Sequence, residues 1–190
     1  MTIILSLMLG LALATAAGLR VFVPLLIAAL AARADVIEPA AGFAWLGSDA
    51  ALILLATATA VEVVAYMIPW VDHFLDVIAT PAAAICGTLL MAAVVVDLPE
   101  ALRWTLAIVA GGGAAGLVQG ASMGVRTGST ASTGGLANPV VSGAETVGAS
   151  VIGGVGVIAP ALGFALAVIM LAMVARALRR GRRWLLRRAR

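Results

Sequence analysis

An all-α, polytopic membrane bundle of about six spans is the fold this sequence predicts, and three observations lead there. Hydrophobic residues make up 63% of the chain and charged residues 11%, against an apolar share of roughly 45–50% in soluble domains. The apolar residues fall into six runs near the length a spanning helix needs, about 20 residues. Short breaks rich in proline, glycine and acids separate the runs and leave no room for a soluble catalytic domain within 190 residues.

The first run, from about Thr2 to Ala32, would be ~46 Å long as a straight helix, more than the ~30 Å hydrocarbon core. Gly18 and Pro24 flank Arg20 and predict a kink or interruption there. The opening residues have the apolar core of a signal peptide but no positive n-region, so the run reads as an uncleaved first span. Arg20 then lies deep in the bilayer, where a guanidinium requires an acidic or carbonyl partner. Residues 33–48 form a loop with Phe43 and Trp45 as interface anchors. Ser48 and Asp49 are an N-cap signal for span two, which Pro69 stops and which carries Glu62.

In the break that follows, Asp72 and Asp76 share a helical face, with His73 beside them. This group reads either as solvated interfacial acids or as a vestibule that concentrates cations. Thr80 and Pro81 predict the start of span three. Residues 97–100 form a turn, and Pro99 begins a long span four that reaches about Val125. Span five runs from Pro139 to about Val157, and Pro160 opens span six. Residues 1–178 are thus a transmembrane helical domain and 179–190 a basic cytoplasmic tail.

Charge is split along the chain. Eight of the 12 arginines lie at or after Arg176, leaving four against all nine acids. A basic run directly after an apolar span marks the cytoplasmic end of a membrane protein and a contact for anionic lipid, so nucleic acid is not expected as a partner. Six spans counted back from that tail place both termini in the cytoplasm, in a bacterial inner membrane. Cys86 is the only cysteine, which excludes an intrachain disulfide and a CxxC metal or redox motif.

The stretch from Arg126 to Glu145 is unlike the rest. Ser129, Thr130, Ser132, Thr133 and Asn138 offer hydrogen-bonding side chains, and Gly128, Gly134 and Gly135 loosen the backbone. Irregular polar backbone near a bilayer is tolerated where protein buries it or where it lines a wet cavity, so the stretch reads as the wall of a site. Before it, Gly112, Gly116, Gly120 and Gly124 recur at four-residue spacing, a ridge that lets helices approach closely. Aligning Gly10 with Gly116 sets Gly10, Ala14 and Gly18 against Gly116, Gly120 and Gly124, and Arg20 against Arg126. The match predicts a 3+3 inverted repeat with broken or kinked helices, spans one and four crossing through the two ridges. The ridges are also compatible with a homo-oligomer.

The segments AAGLRVFVPLL, VEVVAYMIPWVDHFLDVIATPAAAICG and STASTGGLANPVVSGAE resemble those of a bacterial integral-membrane family of unknown function, DUF4126. The resemblance covers nearly the whole chain and implies a polytopic membrane protein without an established chemistry. Where this family carries an aspartate-lysine pair, the chain has Ala65, Tyr66 and Met67. No charge-relay role transfers to that position.

No HExxH, GxSxG or Walker signature is present, and the chain has one histidine. Catalysis and cofactors are therefore not expected. The sequence favours a small secondary transporter or solute/ion pathway. Glu62 and Glu145 would be proton- or cation-linked carboxylates, paired with Arg20 and Arg126 respectively, and the Ser/Thr/Asn segment would supply ligands to a small solute. The other class is a non-transport scaffold, assembly or lipid-handling protein, in which each buried charge is a structural ion pair.

Overall fold

The first helix ends at position 18, which is glycine because its neighbours leave no space for a side chain. A Cβ there would stand 2.5 Å from the Ala115 carbonyl oxygen. In the computed structural model, which describes residues 2–68 and 71–188 and leaves the side chains of 72–74 and 182–188 outside its description, the first apolar run is two helices. They are α1 (Ile3–Ala17) and α2 (Phe22–Arg33). At about 1.5 Å per residue these are ~22 and ~18 Å long, each short of a ~30 Å crossing.

The two helices form a hairpin. Gly148 of the later helix α7 (Asn138–Ile158) faces Leu19, while Gly153 faces both Leu13 and Ile27, so α1 descends alongside α7 and α2 climbs back. Their outer ends meet the same loop region: Ser6 shares a small cavity with Asp35, Ile37 and Val96. The hairpin tip is Gly18–Val21, and it carries Arg20 inward. α1 is the central helix of the bundle, with nine of its 15 residues buried.

After α2 a 3-10 turn (Ala41–Gly47) leads into α3 (Asp49–Ala65) at an angle of 70°. Ser48 caps α3 as its sequence predicts, its hydroxyl accepting from the Ala51 amide at 3.1 Å. α3 runs against α2, tied at its start by the exposed Arg33–Asp49 pair. Ile53, Leu54, Val61 and Val64 face outward, as they would toward lipid tails. α4 (Val71–Val94) does not begin at Thr80. Thr80 donates back to the Asp76 carbonyl and Pro81 is accommodated inside the helix, so the expected break at 69–79 belongs largely to a span.

Helix α5 (Glu100–Leu106) passes through a π turn (Ala107–Gly112) into α6 (Gly113–Thr133) as one long apolar run. The π turn lies where the backbones touch: a Cβ on Gly111 would stand 2.5 Å from the Gly87 carbonyl oxygen of α4. α7 and α8 (Pro160–Arg188) complete the bundle, each opened by the proline that the sequence marks.

All regular structure among the described residues is helical. Among the described residues four helices are long and apolar enough to cross a membrane, or five if the bent pair at Ala41–Ala65 is one span. Two of the six expected spans are thus missing: the first run, which turns back at Gly18–Val21, and α3, which reaches spanning length only with the bent turn before it. The start of α1 and the end of α8 consequently lie at opposite ends of the bundle. The glycine ridge is also not the crossing the sequence suggests. A Cβ at Gly120 or Gly124 would meet nothing within 4 Å, and α1 meets α6 through Gly18 against Ala115 and Val118 instead.

Candidate functional site

Two guanidinium groups that are buried from opposite directions in sequence meet at one aromatic ring. Arg20, 1% exposed, arrives on the hairpin tip, and Arg126, 3% exposed, arrives on α6 two turns before its end. The Tyr66 ring lies 4.2 Å from the Arg20 guanidinium carbon and 4.0 Å from that of Arg126. Tyr66 is the residue that ends α3, and it is buried. A ring face attracts a desolvated cation by ~2 kcal/mol, so one tyrosine offsets part of the cost of two adjacent positive charges.

Carboxylates supply the rest. Arg126 donates to Asp76 at 2.9 Å and to Glu145 through both Nε, at 3.3 Å, and Nη2. Glu145 also accepts from the Ser122 hydroxyl and lies 3.3 Å from Nη2 of Arg20. Arg20 itself donates to the Thr146 hydroxyl at 3.0 Å, to the Ser142 carbonyl at 2.8 Å and to the Ser142 hydroxyl. Its remaining nitrogen, Nη1, is buried and has no hydrogen-bond partner. Gln119 Nε2 on α6 is in the same state, one turn before Ser122 on the face that carries Ser122 and Arg126.

Glu62 takes a different place from the one expected. It does not pair with Arg20; its two oxygens accept from the Val21 and Phe22 amides at 2.8 and 3.1 Å. Those are the free N–H groups at the start of α2, where a carboxylate also meets the positive end of the helix dipole. Arg20 finds its acid in Glu145. The expected Arg126–Glu145 pair is present, and Asp76 joins it.

The Ser/Thr/Asn stretch is helical where irregular backbone was expected. α6 continues through Thr133, and the break is confined to the next four residues, with Gly134 at φ 65° and Gly135 at φ 89°. Ser132 and Thr133 donate back to carbonyls of their own helix. Thr130 accepts from the Asn138 side chain at 3.0 Å, and Thr133 accepts from the Ala137 amide. These residues close the α6–α7 turn and, apart from Ser129 and Asn138, are exposed. Asp72 and His73 stand on the first turn of α4, and their side chains fall outside the described residues.

Sequence reasoning missed Tyr66, Ser122, Gln119, Ser142 and Thr146. Helical spacing was the available signal for all five, Thr146 falling four residues after Ser142. Gln119, Ser122 and Arg126 fall at i, i+3 and i+7, and Asn138, Ser142 and Glu145 at i, i+4 and i+7, so each set shares one face. Tyr66 falls four residues after Glu62, on the same face at the end of α3.

With its polar groups gathered inside and its long helices clad in apolar side chains, the molecule is of the class of all-helical membrane proteins. The chain belongs to the family described as Domain of unknown function (DUF4126), which it matches over residues 7–180. No curated protein and no solved structure matches it.

Proposed function

We propose that the chain is a small secondary transporter or solute/ion pathway whose site is the cluster of Arg20, Tyr66, Asp76, Arg126 and Glu145. The observation that carries this reading is Nη1 of Arg20, a buried donor without a partner at the tip of a hairpin that stops inside the bundle. Irregular backbone at membrane depth and ionisable groups held there are features of solute and proton paths. In this reading Arg20 offers a hydrogen bond to an acceptor group of the solute. Glu145, which both arginines share, changes partner or takes up a proton as the solute passes, and Glu62 holds the hairpin tip in register.

The excess of positive charge supports a cytoplasmic position for the arginine-rich end of α8, in a bacterial inner membrane. With that orientation the hairpin supports an N-terminus on the outer side, in place of the cytoplasmic N-terminus that six spans would give. A small homo-oligomer and anionic lipid at the tail remain part of the proposal.

The test is flux across proteoliposomes, measured with a panel of small anions and a proton-sensitive dye. Glu145→Gln and Arg20→Lys should each lower flux at least tenfold while the protein stays folded. Unchanged flux in both variants would favour the second reading, a non-transport scaffold. One observation speaks for it: Arg126 is fully engaged by Asp76 and Glu145, as in a structural ion pair.

A further inference from the structure

Gly120 and Gly124 of α6, which touch no helix, border a cleft of about 730 Å³ between α6, α7 and α8, with Leu19 of the hairpin tip on its wall. That volume is within the roughly 300–1,000 Å³ of ligand pockets. Its walls include Gly120 and Gly124 of α6, Gly148 of α7, and Met170, Met173 and Gly181 of α8. Glu145 and Ser122 reach its side, but Ser122 donates to Glu145 and Glu145 also accepts from Arg126, so they present little unmet polarity. A polar solute finds few partners there.

The length of the cleft selects its occupant. From Met170 to Gly181 α8 rises ~16 Å, about half of a ~30 Å hydrocarbon core and so the depth of one leaflet. A partner helix crossing the membrane would need a groove of twice that length. At the Gly181 end the arginine run begins to crowd the helix: Arg176, Arg179 and Arg180 are exposed, and Arg180 is next to the lining residue Gly181. We infer that this cleft holds an acyl chain of an anionic phospholipid, with the headgroup at Arg180 and the chain lying over Gly120 and Gly124. This inference rests on the shape and charge of the cleft and does not depend on transport.

The glycines make the test clean, because a Cβ at Gly120 or Gly124 meets nothing within 4 Å and a larger side chain can fill the cleft without displacing a helix. The protein is reconstituted in phosphatidylcholine vesicles containing phosphatidylglycerol with a photoreactive diazirine on its acyl chain. Cross-links are mapped by peptide mass spectrometry, and vesicles with diazirine-labelled phosphatidylcholine serve as the comparison. Wild type should be labelled in peptides spanning 118–125 and 170–181 more densely than on α3, and more by phosphatidylglycerol. Gly120→Leu with Gly124→Leu should abolish that labelling and leave α3 unchanged. Met173→Trp, from the opposite wall, should do the same and serves if the leucine pair does not fold. Arg180→Gln should lower the preference for the anionic lipid about fivefold, the equivalent of about 1 kcal/mol for one arginine at the surface. Labelling no denser than on α3, labelling that survives both fillings, equal labelling by the two lipids, or cross-links between two copies of the chain through the cleft would each overturn the inference.

Discussion

The break at Gly18–Val21 and the break at Gly134–Ala137 use similar means, small residues and a helix restart, for opposite ends. The first lies inside the bundle, and its freed amides are taken by Glu62, a carboxylate from another helix. The second lies at the end of α6, and its groups are satisfied locally: Gly134 donates to the Thr130 carbonyl at 2.9 Å and Ala137 to the Thr133 hydroxyl. A break closed by its own neighbours makes a turn. A break closed from a distance couples elements, and only the first one delivers a charge to the interior. Polarity of sequence therefore points to the wrong break, because the polar side chains of the second are there to cap it.

The arginines at these two regions give the largest expected effect. Arg126→Met strips both Asp76 and Glu145 of a close ion pair, and removing one partner of a buried pair costs about 3–5 kcal/mol. Arg20→Met leaves Glu145 still held by Arg126, so its loss should be clearly smaller. Unfolding in detergent, followed by circular dichroism, measures the order; equal losses would mean that the two sites are not unequal in the way described.

Next is packing at the tip. Gly18→Ala puts a methyl against the Ala115 carbonyl and the Val118 side chain, an overpacking cost of about 1–3 kcal/mol. Gly134→Ala is strained differently, through the positive φ that glycine adopts without penalty. That should cost about 1 kcal/mol. A third step down is Glu62→Ala, which leaves the amides of Val21 and Phe22 uncapped and should cost about 0.5–2 kcal/mol; slower exchange of those two amides in the variant would contradict the assignment. The smallest effect belongs to Ser132→Ala in the second break, within about 0.5 kcal/mol as for exposed positions. A loss of more than about 1 kcal/mol there would restore the view that the polar stretch is a buried wall.

Much of the fold was legible because prolines and caps act locally. Ser48, Pro139 and Pro160 open helices as their neighbours predict. Arg20, Glu62, Arg126 and Glu145 stood out as charges inside apolar runs, and each has a bonded role in the structure. What could not be read was direction. Gly18 and Pro24 announce a break in the first run, but whether the chain continues or reverses depends on α7 and α4 packing against both legs. Thr80 and Pro81 misled for a related reason: their cap signal was overridden by a helix already begun at Val71. The ridge at Gly116, Gly120 and Gly124 has a perfect spacing for close approach, yet the approach is made by Gly87 and Gly111, which the π turn brings into contact.

The reversal at Gly18–Val21 is the central claim, and the location of the two chain ends tests it most directly. In a Cys86→Ala background, Thr2→Cys and Arg179→Cys are probed in sealed vesicles of known orientation with a membrane-impermeant maleimide. A hairpin that returns, followed by five crossings, predicts that the two cysteines react from opposite faces of the membrane. Reaction of both from the same face would mean that the first run crosses the bilayer, and would contradict the hairpin that carries Arg20 to the cluster.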